Sequence, residues 1–181
     1  MVFNSQIDEK NRFMRILITG VSGFLGQNFV QFYGNKIGVE VIGCDVKPIT
    51  NRDFEEYDNF TFVEYSFLDD SKSAILKDVD VIVHLARTIR PGLGFKDYNK
   101  DINENVLGSI KLYDAALKNN VKKFIFISSG GTIYGESPSR IPKRASDGIA
   151  INSYSEIDKC FPVALYGLSM YTIENLSLIH I

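Results

Sequence analysis

The stretch Ile18–Phe29, ITGVSGFLGQNF, decides how this chain folds. It joins an apolar run, MRILIT (Met14–Thr19), to an apolar-periodic stretch from Phe24 to about Lys36, with glycines at positions 20, 23 and 26 between and within them. A strand, a tight turn and a helix are therefore predicted. Such a turn lets the backbone approach a pyrophosphate and packs the helix closely on the strand; a Cβ at these glycines would obstruct both. The helix N-terminus adds free N–H groups and a positive dipole end, which suit phosphate. The spacing is G-x-x-G-x-x-G rather than the commoner G-x-G-x-x-G, and a glycine-rich turn can also serve packing alone. Asp45 narrows the choice. It ends a second predicted strand, VEVIGCD, 19 residues after Gly26. A carboxylate there can accept hydrogen bonds from an adenosine ribose. The same charge would repel a 2′-phosphate, so NAD is expected in preference to NADP.

Outward from this turn, strands and helices alternate. FTFVEY reads as a third strand, SKSAILKD as a short helix and VDVIVHLA as a fourth strand. A long, broken helical stretch runs from about Lys96 to Lys118, and VKKFIFISS is the fifth strand. Strands one, four and five are nearly continuous apolar runs, the pattern of strands buried on both faces of a parallel sheet. The prediction is an α/β fold with a doubly wound parallel sheet of the Rossmann type. Residues 1–13 read as an N-terminal extension and 14–181 as one dinucleotide-binding domain. Residues 129–163 show little periodicity, and a stretch of that length inside a compact domain points to function.

Composition excludes several classes. Of 181 residues, 45% are hydrophobic and 23% charged, with a net charge of −2. Scattered basic residues give no footprint for nucleic acid or an anionic membrane. No apolar run approaches the ~18 residues that span a bilayer, and the N-terminus lacks a signal-peptide core. Cys44 and Cys160 are expected to be free thiols in a reducing compartment. A cytoplasmic protein is expected. With two histidines, His84 and His180, and no Cys/His ligand spacing, a structural metal site is not expected. His84 reads as packing at a strand end.

Taken in order, TGVSGFLG, Asp45, HLA (His84–Ala86), NVLGSIKLYDAA (Asn105–Ala116), FISSGGTIYG (Phe126–Gly135) and YGLS (Tyr166–Ser169) resemble the extended short-chain dehydrogenase/reductase family. The resemblance is to its NAD-dependent sugar-nucleotide epimerases and dehydratases, and it covers the chain from Met14 to about Leu176. It implies that Gly20, Gly23, Phe24, Leu25 and Gly26 wrap the pyrophosphate and that Asp45 holds the adenosine ribose. It implies that Leu85 and Ala86 line the cofactor near its ribose and phosphates, and that Asn105 steadies the cofactor side of the site. Ser128 and Ser129 would lie beneath the nicotinamide. Tyr166 would be the acid/base that takes a proton from a sugar hydroxyl as hydride passes to NAD. A nucleotide sugar is then the implied partner, and a homodimer through the long helix and the tyrosine-bearing helix is plausible.

Three departures from the family pattern stand out. The segment after strand three, VEYSFLDD, has Ser66, followed by Phe67, where the family has an aspartate facing the adenine. Gly130 occupies the usual Ser/Thr position before YG, which makes Thr132 the candidate assisting hydroxyl and Ser129 the second. Met170 replaces the lysine that follows the family's tyrosine. Residues i and i+4 share a helix face, so a lysine there would lower the tyrosine pKa through its charge. An unperturbed phenol, with a pKa of about 10, is only about 0.1% ionised at pH 7. Met170 is therefore expected to impair turnover, and Met170→Lys to raise it greatly. By periodicity alone, YGLSM could equally be a packing helix.

The family's smaller C-terminal lobe, which holds the sugar, is expected to be missing, and residues 176–181 are not expected to be native sequence. Two functional readings remain open. One is a nucleoside-diphosphate-sugar epimerase, favoured over a dehydratase because Gly131 and Thr132 stand where dehydratases carry an Asp–Glu pair. The other is a non-catalytic NAD-binding protein.

Overall fold

The computed structural model describes residues 13–50, 52–66, 74–88, 98–135, 143–144, 150–151 and 154–179. Contacts divide the chain into two compact units. The first comprises Met1–Ala86 and Asp114–Phe126, the second Arg87–Tyr113 and Ile127–Ile181.

The first unit holds a five-stranded, wholly parallel sheet. Its strands are β1 (Met14–Thr19), β2 (Val39–Asp45), β3 (Phe60–Glu64), β4 (Val81–His84) and β5 (Lys123–Phe126), in the order β3-β2-β1-β4-β5. This is the predicted doubly wound arrangement. The order reverses between β1 and β4, and ligands of such sheets bind beyond the carboxyl ends of the strands at that switch point. The glycine-rich turn leaves β1 there, and Leu85 and Ala86 leave β4 there. Helix α1 (Phe24–Tyr33) packs its Val30 into a core with Ile16, Ile18, Val21, Val41, Phe54 and Val83. The HLA histidine, His84, is buried between Phe124 and Phe126, with ring centroids 5.8 and 6.0 Å away.

β1 and β4 are largely buried, as their apolar runs predict. β5 is not. It ends the strand order, and its residues alternate between exposed and half-buried, with Ile125 37% exposed. Ile125 lies on an open groove of about 870 Å³ lined also by Ile16, Val81 and Val83 of the sheet and Phe29 and Tyr33 of α1. Among the described residues, the apolar run of β5 is therefore not buried on both faces. The predicted helix SKSAILKD reduces, within the described residues, to a 3₁₀ turn at 74–76.

In the second unit the long helical stretch is continuous but changes pitch. α2 (Tyr98–Lys100) runs into a π-helical segment, Asp101–Leu107, and then α3 (Gly108–Lys118). Wide turns of this kind mark functional sites disproportionately. α4 (Gly130–Ile133) is a single turn, and β6 (Lys143–Arg144) pairs antiparallel with β7 (Ala150–Ile151) inside the stretch that showed no periodicity. α5 (Leu165–Ile179) buries Leu165, Gly167, Ser169, Met170 and Ile173 along one face, which packs on the π-helical segment. No helix among the described residues is long and apolar enough to cross a membrane.

Candidate active site

The first unit holds the glycine-rich turn and Asp45. Gly20 has φ +70°, and a Cβ on it would lie 2.7 Å from the Ala86 backbone. Gly26 is tighter still: its Cβ would stand 2.5 Å from both the Gly20 carbonyl oxygen and the Val21 Cα. At Gly23 the nearest atom, again the Gly20 oxygen, would be 3.2 Å away. All these neighbours are backbone, so no side chain could swing aside. The turn is a cradle that only glycine permits. Gly23 is the N-cap of α1 and no side chain caps the helix, leaving its first N–H groups available. Phe24 and Leu25 are exposed in the first turn, at 82% and 48%.

Asp45 closes this side. Its Oδ2 accepts from the Ser22 amide at 3.0 Å and its Oδ1 from the Lys47 amide at 3.1 Å. Ser22 Oγ donates in turn to the Lys47 carbonyl at 2.6 Å. The carboxylate thus ties the end of β2 to the glycine turn and keeps lone pairs for a further donor. Ser66 follows β3 half-buried, while Phe67 lies outside the described residues. Cys44 is buried, and burial pushes its thiol up, so it stays protonated and inert.

Leu85 and Ala86 are fixed by a residue that the sequence reading passed over. Thr19, fully buried at the end of β1, accepts from both of their amides at 3.1 Å through Oγ1. Its own proton then goes to His84 Nδ1, 2.7 Å away, which places the histidine proton on Nε2. Thr19→Val keeps the shape but removes three hydrogen bonds. It is expected to cost about 2–3 kcal/mol, read as a lower denaturation midpoint with an unchanged slope.

The second unit holds Thr132 and Tyr166. Gly167 lets the first turn of α5 meet α4: a Cβ there would lie 2.4 Å from the Thr132 carbonyl oxygen. The structure therefore brings the Thr132 and Tyr166 segments together. Ser129 is the N-cap of α4 by its carbonyl, which accepts from the Thr132 amide at 2.9 Å and the Thr132 hydroxyl at 3.1 Å. Its own hydroxyl makes no cap bond. Ser128 Oγ is buried and has no hydrogen-bond partner among the described residues. An orphaned hydroxyl of this kind suits a polar ligand group.

Asn105 sits in the π-helical segment, buried, with its amide committed within the protein. Its Oδ1 accepts from the Thr88 amide at 3.1 Å, and its Nδ2 donates to Asp101 Oδ1 at 2.6 Å. It positions the segment after β4 rather than offering a free group. Asp101, fully buried, also accepts from Ser169 Oγ at 3.4 Å.

At position 170 the structure supplies what sequence reasoning missed. Met170 is 2% exposed, and its Sδ accepts from Arg87 Nε at 3.0 Å. Desolvation lowers the Arg87 guanidinium to about 10, while Tyr166, Tyr113 and Asp101 oppose that fall. It stays charged at neutral pH. The only signal in the sequence was an arginine directly after HLA.

A doubly wound sheet with a glycine cradle at its switch point defines a dinucleotide-binding protein of the Rossmann class. The description "NAD dependent epimerase/dehydratase family" matches residues 16–178, and the chain belongs to that family. It is 29% identical over 168 residues to dTDP-4-dehydro-6-deoxyglucose reductase of Escherichia coli, covering 88% of this chain and 48% of that protein. It is 33% identical over 132 residues to UDP-glucose 4-epimerase of Mycolicibacterium smegmatis, covering 70% of this chain and 42% of the other. Among solved structures it resembles the UDP-glucose 4-epimerase of Thermotoga maritima with UDP-glucose, at TM-score 0.75 and 29% identity over 92% of this chain and 51% of that one. The UDP-glucuronic acid 4-epimerase of Bacillus cereus with UDP-glucuronic acid and NAD gives TM-score 0.75 and 27% identity, over 92% and 52%. The chain spans about half the length of the relatives it matches.

Proposed function

We propose that this chain carries the NAD-binding and proton-transferring part of an epimerase acting on a nucleoside-diphosphate sugar. The observation that carries the reading is the backbone-walled cradle of Gly20, Gly23 and Gly26, closed by Asp45, in a chain whose family match runs through Tyr166. The cradle and the uncapped N-terminus of α1 fit a pyrophosphate, Asp45 fits a ribose hydroxyl, and Ser128 has an unused hydroxyl for the nicotinamide side. NAD, when bound, supplies reversible hydride transfer at a sugar carbon. Tyr166 takes the proton of the sugar hydroxyl as that carbon loses hydride and returns it when hydride comes back to the opposite face. Thr132 or Ser129 orients that hydroxyl.

Protein isolated intact is expected to release NAD on denaturation and to interconvert a UDP-sugar, such as UDP-glucose or UDP-glucuronic acid, with its 4-epimer. Tyr166→Phe should reduce turnover by about a hundredfold or more while leaving NAD bound. Met170 favours a second reading, a non-catalytic NAD-binding protein. NAD bound without turnover of any nucleotide sugar would select it, and absence of NAD binding would sink both. Asp45→Ala is expected to weaken NAD binding by about 10- to 100-fold and to narrow the preference for NAD over NADP, read by calorimetric titration of both.

A further inference from the structure

We propose that Arg87 stands in for the lysine absent at position 170, holding one positive charge beside the tyrosine face of α5 while Met170 is the side chain that accommodates it. The inference rests on the functional reading above. Tyr166 and Met170 lie four residues apart and so share one face of α5. Where a lysine would reach along that face, Met170 instead turns its sulfur to Arg87 Nε, 3.0 Å away. A thioether carries no charge, accepts a hydrogen bond weakly and adapts its shape, which makes it a suitable neighbour for a guanidinium. A lysine at 170 would put a second cation against the first.

The groups facing Arg87 fit a single retained cation. Tyr166 comes from α5, Tyr113 from α3 and Asp101 from the π-helical segment. Asp101 is fully buried and its side chain is held by Asn105 and Ser169. Arg87 and Met170 thus read as a coupled pair, a guanidinium and a thioether that meet across 83 residues of sequence. Arg87 is a positioning residue for charge and acts through Tyr166.

The test is a four-member cycle in the intact protein: wild type, Arg87→Met, Met170→Lys and the double substitution. Thermal unfolding and the split of kcat and KM are measured for each. Arg87→Met should lower kcat about a hundredfold with little change in KM. Met170→Lys should not raise kcat, and should lower the melting temperature by about 5 °C or more through cation repulsion. The double substitution should recover most of both losses. A rise in kcat on Met170→Lys alone, with Arg87→Met near wild type, overturns the proposal. So do additive melting shifts around the cycle. If wild type binds NAD but turns over no sugar nucleotide, the functional reading fails by itself. The melting cycle then still decides the pair: coupling supports it and additivity overturns it.

Discussion

Asp101→Ala is expected to destabilise the protein by about 3 kcal/mol. The carboxylate is fully buried where the helical stretch widens into its π turn. Its Oδ1 accepts from Asn105 Nδ2 at 2.6 Å and from Ser169 Oγ at 3.4 Å, and its charge balances the half-buried Arg87 guanidinium. Alanine leaves the Asn105 amide donor unmet and removes a negative charge that acts on Arg87, which costs more than the cavity it creates. Asp101→Asn keeps an acceptor but not the charge, so it should fall between alanine and wild type. Removing Arg87 as well, in Arg87→Met/Asp101→Asn, should recover part of the loss because the unbalanced charge is gone. Chemical denaturation of the four proteins measures this. A loss below about 1 kcal/mol for Asp101→Ala would show that charge balance is not what Asp101 provides.

The second large effect is expected at Gly26. A Cβ there would stand 2.5 Å from the Gly20 oxygen and the Val21 Cα and 2.7 Å from the Val21 oxygen. Only a shift of α1 away from β1 relieves such contacts, and over-packing of this kind costs about 1–3 kcal/mol or more. The shift also displaces the uncapped helix N-terminus from the phosphate position. Gly26→Ala is therefore expected to weaken NAD binding by about a hundredfold or more beside its loss of stability. Gly38→Ala is the control. Gly38 has φ +81° but nothing within 4 Å of its Cβ position, so only the left-handed backbone is penalised, by about 1 kcal/mol. Its NAD affinity should match wild type. Calorimetric titration with NAD and thermal melting of both variants separate the two effects, and equal NAD affinity in both would contradict the cradle.

The close backbone at the glycine turn was legible because it rests on local chemistry. Glycine spacing after an apolar strand states where a backbone must come close, and Asp45 at a strand end states where a carboxylate must stand. Thr19 was not legible, since a threonine closing an apolar strand looks like any β-branched residue until β4 brings Leu85 and Ala86 to its hydroxyl. Asn105 was placed near the site by resemblance, yet its amide is committed to Thr88 and Asp101. That commitment depends on the widened helical turn, which residue periodicity does not register.

The sequence by itself determined the parallel sheet and the glycine-rich turn, because strand runs, turn glycines and helix periodicity act through residues adjacent in the chain. Only the tertiary structure decided that Ile125 of β5 is exposed among the described residues and that position 170 has a cation beside it. Burial of a face depends on which elements are present to cover it, and the Arg87–Met170 contact joins residues that only packing can bring together. Met170, read alone, looks like a lost charge; beside Arg87 it is the neutral neighbour that a single retained charge requires.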